Sequence, residues 1–233
     1  MNNNIFESNN IILKAESLEK LEAYRELILE YNKIMDITNI TEHDEMYIKH
    51  FLDSLLLEKT GLNFDNISLI DIGTGGGFPG VPLKINHPTI NLTLLDSLRK
   101  RIRFLEDVIE KLNLSNTKPI HARAEEYARK KEYREKYDIA TSRAVAELRT
   151  LVEYSLGYVR PGGYFIAMKG PNYQEELSNA KNAIKIMCGK LDNIIDYELP
   201  DNMGTRSLIV IKKIKQTPPK YPRGQGKPKN KPL

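Results

Sequence analysis

The stretch of sequence that decides the fold is ISLIDIGTGGGFPG, residues 67–80. It begins with a short apolar run and ends in a glycine cluster, a pattern typical of a buried parallel strand that enters a tight turn. Glycines adopt positive φ and let a ligand approach the backbone, and the amino end of a helix starting near Pro79 favours electron-rich groups. We therefore interpret residues 73–77, four of which are glycines, as a cofactor loop. An ordinary strand-to-helix turn is the alternative.

The region downstream repeats the alternation of strand and helix. Further strands are predicted at 90–95, 117–122, 137–142 and 163–168, with amphipathic helices between them at 99–112, 125–136 and 144–159. Parallel strands need long crossovers, which helices supply. The sequence therefore predicts an α/β fold with a mostly parallel sheet and flanking helices. A later helix at 173–190 precedes β-like stretches at 194–199 and 207–214, which we expect to pair antiparallel at a sheet edge.

Two helices are predicted before the first strand. Apolar residues recur at steps of three or four over 17–35, and a helix start at Thr41 leads into a second apolar pattern that ends near Leu56. We therefore divide the chain into an N-terminal helical extension (1–60), an α/β domain (61–214) and a basic, proline-rich C-terminal arm (215–233).

The composition indicates one sizeable folded core. The chain has 233 residues, 40% of them hydrophobic and 28% charged, which excludes a disulfide miniprotein and argues against global disorder. A single cysteine, Cys188, cannot close an intrachain disulfide or supply a Cys-rich metal site, so we expect a reducing compartment and no metal. Because the sequence has neither a signal-peptide pattern nor a run of about 18 apolar residues, we expect a cytoplasmic protein.

Positive charge is concentrated at the C-terminus. Residues 212–233 contain eight Lys or Arg and no Asp or Glu, which leaves 27 basic against 31 acidic residues in the remainder. The prolines after Lys215 disfavour helix, so we expect an extended arm or a disordered tail that reaches beyond the domain. A basic arm attracts nucleic acid; a merely solubilising tail is the alternative. The residues suited to phosphate contact and base stacking are Lys220, Tyr221, Arg223, Lys227 and Lys229.

The glycine loop leaves two cofactors open. Gly75, Gly77 and Gly80 satisfy the spacing G-x-G-x-x-G, and an acidic residue, Asp96, follows about twenty residues later, as in NAD sites. Three features favour S-adenosylmethionine. Asp71 ends the first strand, where a carboxylate can meet a cationic amino-acid group, and Asp96 ends the second, where it can accept hydrogen bonds from ribose hydroxyls. No second domain of dehydrogenase size follows. For Asp96 a helix cap is the alternative.

Seven segments together resemble one family. They are NITEHDEMYIKHFLDSL (39–55), DIGTGGGFPGVPLKI (71–85), LLDSLRKRIRFLEDV (94–108), ARAEEYA (122–128), DIATSRAVAELRTLVEY (138–154), GGYFIAMKG (162–170) and PPKYPRGQGKPKNKPL (218–233). The combination resembles the 16S ribosomal RNA guanine-N7 methyltransferase G family, also called glucose-inhibited division protein B. The glycine loop alone indicates only a class of methyltransferases, whereas TSRAVAEL and the KYPR-x-x-G-x-P tail are specific to this family.

The resemblance implies a Rossmann-like, S-adenosylmethionine-dependent enzyme that methylates N7 of a guanosine, conventionally numbered 527, in 16S rRNA. The expected partner is that RNA or the small ribosomal subunit, with no membrane. The residues carried over are Gly73 and Phe78 beside the cofactor, Asp96, Ser97 and Leu98 at the ribose, Ala124 and Glu125 at the adenine, and Arg143 completing the site. Together with Asp71 and Gly75 they form the predicted cofactor-binding set. Guanine N7 has an available lone pair, so we nominate no catalytic acid or base.

Three residues outside this set are further candidates. His50 and Asp53 lie three apart on one predicted helix face, near the substrate or the loop; a helix-surface hydrogen bond is the alternative. Lys169 ends a predicted strand and is a candidate for RNA phosphate contact, with an ordinary turn equally compatible. An NAD-dependent oxidoreductase and a noncatalytic RNA-binding module are the rival functions, and a monomer is the expected state.

Overall fold

A computed structural model describes residues 3–233; Met1 and Asn2, which begin the predicted N-terminal extension, lie outside the described residues. The strands of the described chain are β1 (Ser68–Ile72), β2 (Asn91–Asp96), β3 (Thr117–His121), β4 (Tyr137–Arg143), β5 (Val159–Lys169), β6 (Gly189–Glu198) and β7 (Thr205–Lys213). They form one sheet in the order β3-β2-β1-β4-β5-β7-β6. The first five are parallel, whereas β7 pairs antiparallel with both β5 and β6. The predicted α/β fold, including its antiparallel sheet edge, is confirmed.

The α-helices cover both faces of this sheet. They are α1 (Asn3–Glu7), α2 (Ala15–Asn32), α3 (His43–Met46), α4 (Asp53–Leu55), α5 (Gly80–Asn86), α6 (Arg99–Lys111), α7 (Ala124–Tyr127), α8 (Leu148–Leu156), α9 (Tyr173–Ile186) and α10 (Lys227–Asn230). Among residues 3–233, no helix is long and apolar enough to cross a bilayer. In β1, Leu69 packs into the core beneath α2, α5 and α6, whereas Ile70 packs into the core beneath α8 and α9. A central strand must therefore be apolar on both faces, which explains the continuous apolar run.

Two predicted helices are shorter than expected. The helix predicted at 125–136 ends at Tyr127, and the turns that follow include Glu135 at φ +53°. The helix predicted at 144–159 begins only at Leu148, because Ala144 lies at φ +56° and Glu147 is extended. A residue with positive φ cannot continue a right-handed helix.

The second N-terminal helix is confirmed, but it is irregular. Between α3 and α4 lies a π-helical turn, Tyr47–Leu52, and α4 is followed by a 3₁₀ turn, Leu56–Thr60. The N–H of Asp53 donates to the carbonyls of His50 and Ile48, which leaves the carbonyl of Lys49 available to another donor. Single π-helical turns inside α-helices often lie at functional sites.

The C-terminal residues do not form the extended or disordered arm that the prolines predicted. The Arg134 guanidinium donates to the main-chain carbonyls of Thr217 and Tyr221, each at 2.7 Å. Pro222 and Pro228 are buried. The segment therefore packs along the domain beside α8. The prediction was wrong because proline removes a donor but keeps its carbonyl, and the partly buried Arg134 orders the start of this segment by donating to main-chain carbonyls.

Candidate cofactor and substrate site

The loop between β1 and α5 crosses the ends of the central strands. The N–H groups of Gly73 and Thr74 donate to the carbonyl of Leu95, at 2.8 and 3.1 Å, which ties the loop to the end of β2. Gly73 has φ +68°, and a Cβ there would lie 2.5 Å from Cγ2 of Val145. Position 73 therefore requires glycine, because a side chain would be strained by the backbone and would also collide.

Asp71 lies completely buried beneath this loop. Its Oδ2 accepts hydrogen bonds from the hydroxyl of Thr74 at 2.7 Å and from the N–H of Gly80 at 2.9 Å. Burial raises the pKa of this carboxyl to about 6. Its Oδ1 is buried without a hydrogen-bond partner among the described residues. Such orphaned acceptors are uncommon in folded proteins, so Asp71 both shapes the loop and offers a free acceptor beneath it.

Asp96 ends β2 and holds three donors. Its Oδ2 accepts from the N–H of Gly75 at 3.0 Å and from Arg101 at 3.2 Å, and its Oδ1 accepts from the N–H of Leu98 at 2.9 Å. The bond to Leu98 reaches the residue before α6, but no side chain of residues 3–233 caps that helix, so the capping alternative is wrong. A carboxylate offers about four acceptor positions, so one on Oδ1 remains for a ribose hydroxyl. The ribose contact stays a prediction.

Two cavities lie at this edge of the sheet and share Gly73. The Arg143 cavity, of about 610 Å³, is lined by residues that include Thr38, His50, Asp53, Gly73, Gly75, Phe78, Arg143, Lys169, Glu176 and Arg206. The Glu125 cavity, of about 600 Å³, is lined by residues that include Gly73, Ser97, Leu98, Ala124, Glu125, Val145, Gln225, Gly226, Lys229 and Asn230. Both volumes are typical of small-molecule sites.

The structure divides the predicted cofactor-binding set between these cavities. Ser97, Leu98, Ala124 and Glu125 line the Glu125 cavity, Gly75, Phe78 and Arg143 line the Arg143 cavity, and Gly73 lines both. Asp71 and Asp96 are not among the lining residues of either cavity; they lie behind the loop. Residues 144–146 separate the two spaces, since Ala144 lines one and Val145 the other. A ligand that contacts the whole set must therefore pass beside Gly73.

Arg143 is held in place by the irregular N-terminal helix. Its Nη1 donates to Oδ2 of Asp53 at 2.8 Å and to the carbonyl of Lys49 at 3.0 Å, the carbonyl that the π-helical turn leaves available. Its Nη2 lies 3.2 Å from Nδ1 of His50. His50 and Asp53 of the predicted helix and Arg143 at the end of β4, which are separate features in the sequence, thus lie together at one site.

His50 is neutral and has a defined tautomer. Because arginine only donates hydrogen bonds, Nδ1 must accept from Arg143, and Nε2 must carry the proton that it shares with the hydroxyl of Thr38 at 2.7 Å. Burial, reinforced by the charge of Arg143, lowers the pKa of His50 to about 3. The ring stacks on Phe78 with 4.4 Å between centroids. His50 therefore adds no positive charge to the cavity.

The sequence reasoning missed Glu176 and Arg206, which line the Arg143 cavity, and Tyr197, which contacts Asp53. Asp53 accepts from the hydroxyl of Tyr197 at 2.8 Å and lies 4.0 Å from Arg206, and both partners come from the antiparallel sheet edge. Lys169, a candidate for phosphate contact, instead donates to Glu176 at 2.6 Å and to the carbonyl of Ala146 at 2.8 Å. No local motif marks Glu176, Tyr197 and Arg206, because α9, β6 and β7 bring them to the site from distant positions in the chain. Residues 3–233 contain no cluster of His, Cys, Asp or Glu that could hold a metal ion.

Comparison with solved structures identifies the fold. The crystal structure of M. jannaschii TYW2 in complex with AdoMet superposes with a TM-score of 0.55 at 15% identity, over 78% of this chain and 81% of that one. A SAM-dependent methyltransferase from Aquifex aeolicus gives 0.53 at 16% identity, over 71% and 92%. A dinucleotide-binding sheet commonly has the order 3-2-1-4-5-6, whereas here β7 is inserted antiparallel between β5 and β6. The fold is that of the Rossmann-like, S-adenosylmethionine-dependent methyltransferases.

The family is defined more narrowly by sequence. The chain belongs to the GidB family, rRNA small subunit methyltransferase G, whose model matches residues 17–202. A protein named ribosomal RNA small subunit methyltransferase G from Lachnoclostridium phytofermentans is 49% identical over 95% of this chain and 91% of its own length. One of the same name from Alkaliphilus oremlandii is 50% identical over 96% and 94%. The resemblance seen in the sequence is confirmed.

Proposed function

We propose that this protein transfers a methyl group from S-adenosylmethionine to N7 of guanosine 527 in 16S rRNA. The observation that carries this proposal is membership of the rRNA small subunit methyltransferase G family over most of the chain. The rival NAD-dependent oxidoreductase is disfavoured by the inserted antiparallel strand, β7. Because ribosomes are assembled in the cytoplasm, the proposed activity belongs to that compartment, and we retain a monomer as the proposed state.

The residues present suit an adenosyl sulfonium ligand. The cradle at Gly73 has no room for a side chain, and Asp71, completely buried beneath the loop, holds the loop in shape through Thr74 and Gly80. The contact of Asp71 with a cationic amino group stays a prediction. In this proposal Ser97 and Leu98 contact the ribose, Ala124 and Glu125 contact the adenine, and Gly73 lies at the junction with the Arg143 cavity. When bound, the cofactor supplies a methyl group on a positively charged sulfur.

The Arg143 cavity is the proposed place of the target guanine. Guanine N7 needs no base to remove a proton, so the protein has only to align the ring with the methyl group. Phe78 and the stacked His50 ring supply an aromatic wall. Arginine usually grips guanine at O6 and N7, but here Arg143 is already engaged by Asp53 and Lys49. We therefore expect recognition through the Watson–Crick edge and through stacking.

The charges of the Arg143 cavity agree with a cationic product. An unshielded cation beside N7 would oppose methylation, because the methylated ring is positively charged. Arg143 is paired with Asp53, Lys169 is paired with Glu176, and His50 is neutral. The cavity therefore offers basic side chains for positioning while their charges are largely balanced.

The test is methylation of 16S rRNA from a strain that lacks the gene, with methyl-labelled cofactor and mapping of N7-methylguanosine. Naked rRNA, an assembly intermediate and the mature small subunit are used in parallel. We expect label at a single guanine in at least one of them. Absence of label from all three would overturn the proposal and favour a noncatalytic RNA-binding module. Thermal stabilisation by NADH rather than S-adenosylhomocysteine would favour the oxidoreductase, since a ligand of the native state raises apparent stability.

A further inference from the structure

We infer that the C-terminal segment, residues 217–230, forms one wall of the adenosine end of the cofactor site and is held there by the pair of Arg223 with Glu153. This inference rests on the proposed cofactor site. The Glu125 cavity is lined on one side by Ser97, Leu98 and Glu125, and four residues of the C-terminal segment line it as well. Those four are Gln225, Gly226, Lys229 and Asn230.

The segment is attached at its start by buried charged groups. The N–H of Thr217 donates to Oε1 of Glu135 at 2.6 Å. The completely buried Lys213, at the end of β7, donates to the carbonyl of Leu156 at 2.5 Å and lies 3.4 Å from the same Glu135 oxygen. Together with the bonds from Arg134, these contacts direct the chain across the domain instead of into solvent.

The middle of the segment carries the strongest attachment. Nε of Arg223 donates to Oε1 of Glu153 at 2.9 Å, Nη2 donates to Oε2 at 2.7 Å, and the N–H of Arg223 also donates to Oε1, at 2.7 Å. Glu153 lies on α8 and is completely buried. A two-pronged bond of this kind defines both distance and orientation, so Arg223 sets the position of the residues that follow it.

The end of the segment meets the cavity itself. The N–H of Gly226 lies 3.3 Å from Oε1 of Glu125, a residue of the predicted adenine site. The carbonyl of Pro228 accepts from the hydroxyl of Thr150 at 3.2 Å, one turn before Glu153 on α8. Gln225, Lys229 and Asn230 are exposed side chains at the rim of this cavity. The wall is therefore formed by the basic C-terminal arm, which the sequence analysis predicted to contact RNA.

The experiment measures the affinity of the full-length protein for S-adenosylhomocysteine and for adenosine by calorimetry. We expect Arg223→Ala to weaken binding of both ligands by about tenfold, and the rim variant Lys229→Ala/Asn230→Ala to weaken it by about threefold. The two ligands should respond alike, because the wall contacts only the adenosine part that they share. Lys231→Ala, at a basic residue directly after the segment and outside the cavity lining, is the control and should keep the wild-type affinity. Thermal melting without ligand reports folding of each variant.

The outcomes separate this inference from the proposed function. Failure of the wild-type protein to bind S-adenosylhomocysteine would overturn the proposed function itself. Binding by the wild type with unchanged affinity in the folded rim variant would overturn the inference alone, even if Arg223→Ala were weakened by loss of stability. Equal weakening by Lys231→Ala would also overturn it, because the effect would then reflect charge instead of contact.

Discussion

The glycine loop and the C-terminal segment are both walls of the Glu125 cavity, but they are held by contacts of very different range. Asp71 bonds to residues three and nine positions away in the loop that it supports. Arg223 bonds to a residue 70 positions away, and Gly226 to one 101 positions away. A local motif therefore reveals the first wall in the sequence, whereas the second exists only after the domain has folded.

This comparison implies that the C-terminal segment depends on the pair of Arg223 with Glu153. Arg223→Ala tests this dependence and has the largest expected effect. The change leaves the buried Glu153 carboxylate without its charged partner, so we expect the free energy of unfolding to fall by about 3 kcal/mol. Urea denaturation measures this loss. Arg149→Ala is the matched control, because it breaks the exposed pair with Glu147 and should cost less than about 1 kcal/mol. Similar losses of unfolding free energy in the two variants would contradict the expected difference between the buried and the exposed ion pair.

The second prediction concerns the glycine loop and compares Gly73→Ala with Gly61→Ala. Both glycines have φ +68°, but a Cβ at Gly61 would meet nothing within 4 Å, whereas one at Gly73 would collide with Val145. We expect Gly61→Ala to lower the free energy of unfolding by about 1 kcal/mol, and Gly73→Ala by about 2 kcal/mol with weaker binding of S-adenosylhomocysteine. Denaturation and calorimetry measure the two effects. Retention of full affinity by Gly73→Ala would show that the loop tolerates a side chain at the junction.

A smaller effect is expected from pH at His50, which stacks on Phe78 beside the loop. In the unfolded chain the imidazole takes up a proton below about pH 6.5, but in the folded protein its pKa is lowered to about 3. Stability is therefore lost as pH falls from 6.5 toward 3, and the loss is roughly 1 kcal/mol at pH 5.5. His50→Gln should lose less stability than the wild type between pH 7.5 and 5.5 in urea denaturation. The half-exposed His43, changed to Gln, is the control; a wild-type profile in His50→Gln would refute the assignment.

The smallest effect concerns the outer face of the C-terminal segment. Lys220 is exposed and lies over the ring of Tyr221, so it remains a candidate for phosphate contact. We expect Lys220→Ala to reduce the slope of the logarithm of RNA affinity against the logarithm of salt concentration by about 0.7, the value for one phosphate contact on a single strand. Filter binding over a range of salt measures this slope. Lys59→Ala, an exposed change near the N-terminal helices, should leave it unchanged, and equal slopes for all three proteins would remove Lys220 from the RNA interface.

The fold was predictable because the signals for parallel strands are local. The apolar run before Gly73 and the repeated strand–helix alternation identify the sheet, and the antiparallel edge follows from the last two β-like stretches. The helix at 125–136 was not predictable in length, because the turn at Glu135 is stabilised by the C-terminal segment: the carboxylate of Glu135 accepts from the N–H of Thr217. Propensity over a short window contains no information about such a partner.

The candidate site was predictable in its residues but not in their arrangement. The sequence and its resemblance named Ser97, Leu98, Ala124 and Glu125, which line one cavity together. They also named Phe78 and Arg143, which line the other. The N-terminal extension was predicted as a separate unit, yet its π-helical turn positions Arg143 through the carbonyl of Lys49. The domain boundaries at residues 60 and 214 stay predictions.

The sequence by itself determined the α/β class, the glycine loop and the family, because each depends on short segments whose spacing and residue types are sufficient. Only the tertiary structure decided that Arg143 pairs with Asp53, that two cavities meet at Gly73, and that the basic C-terminus folds back onto α8. These contacts join residues far apart in the chain, and their strength comes from burial that exists only in the folded domain. Arg223, which the sequence predicts as an RNA contact, pairs in the folded protein with the buried carboxylate of Glu153.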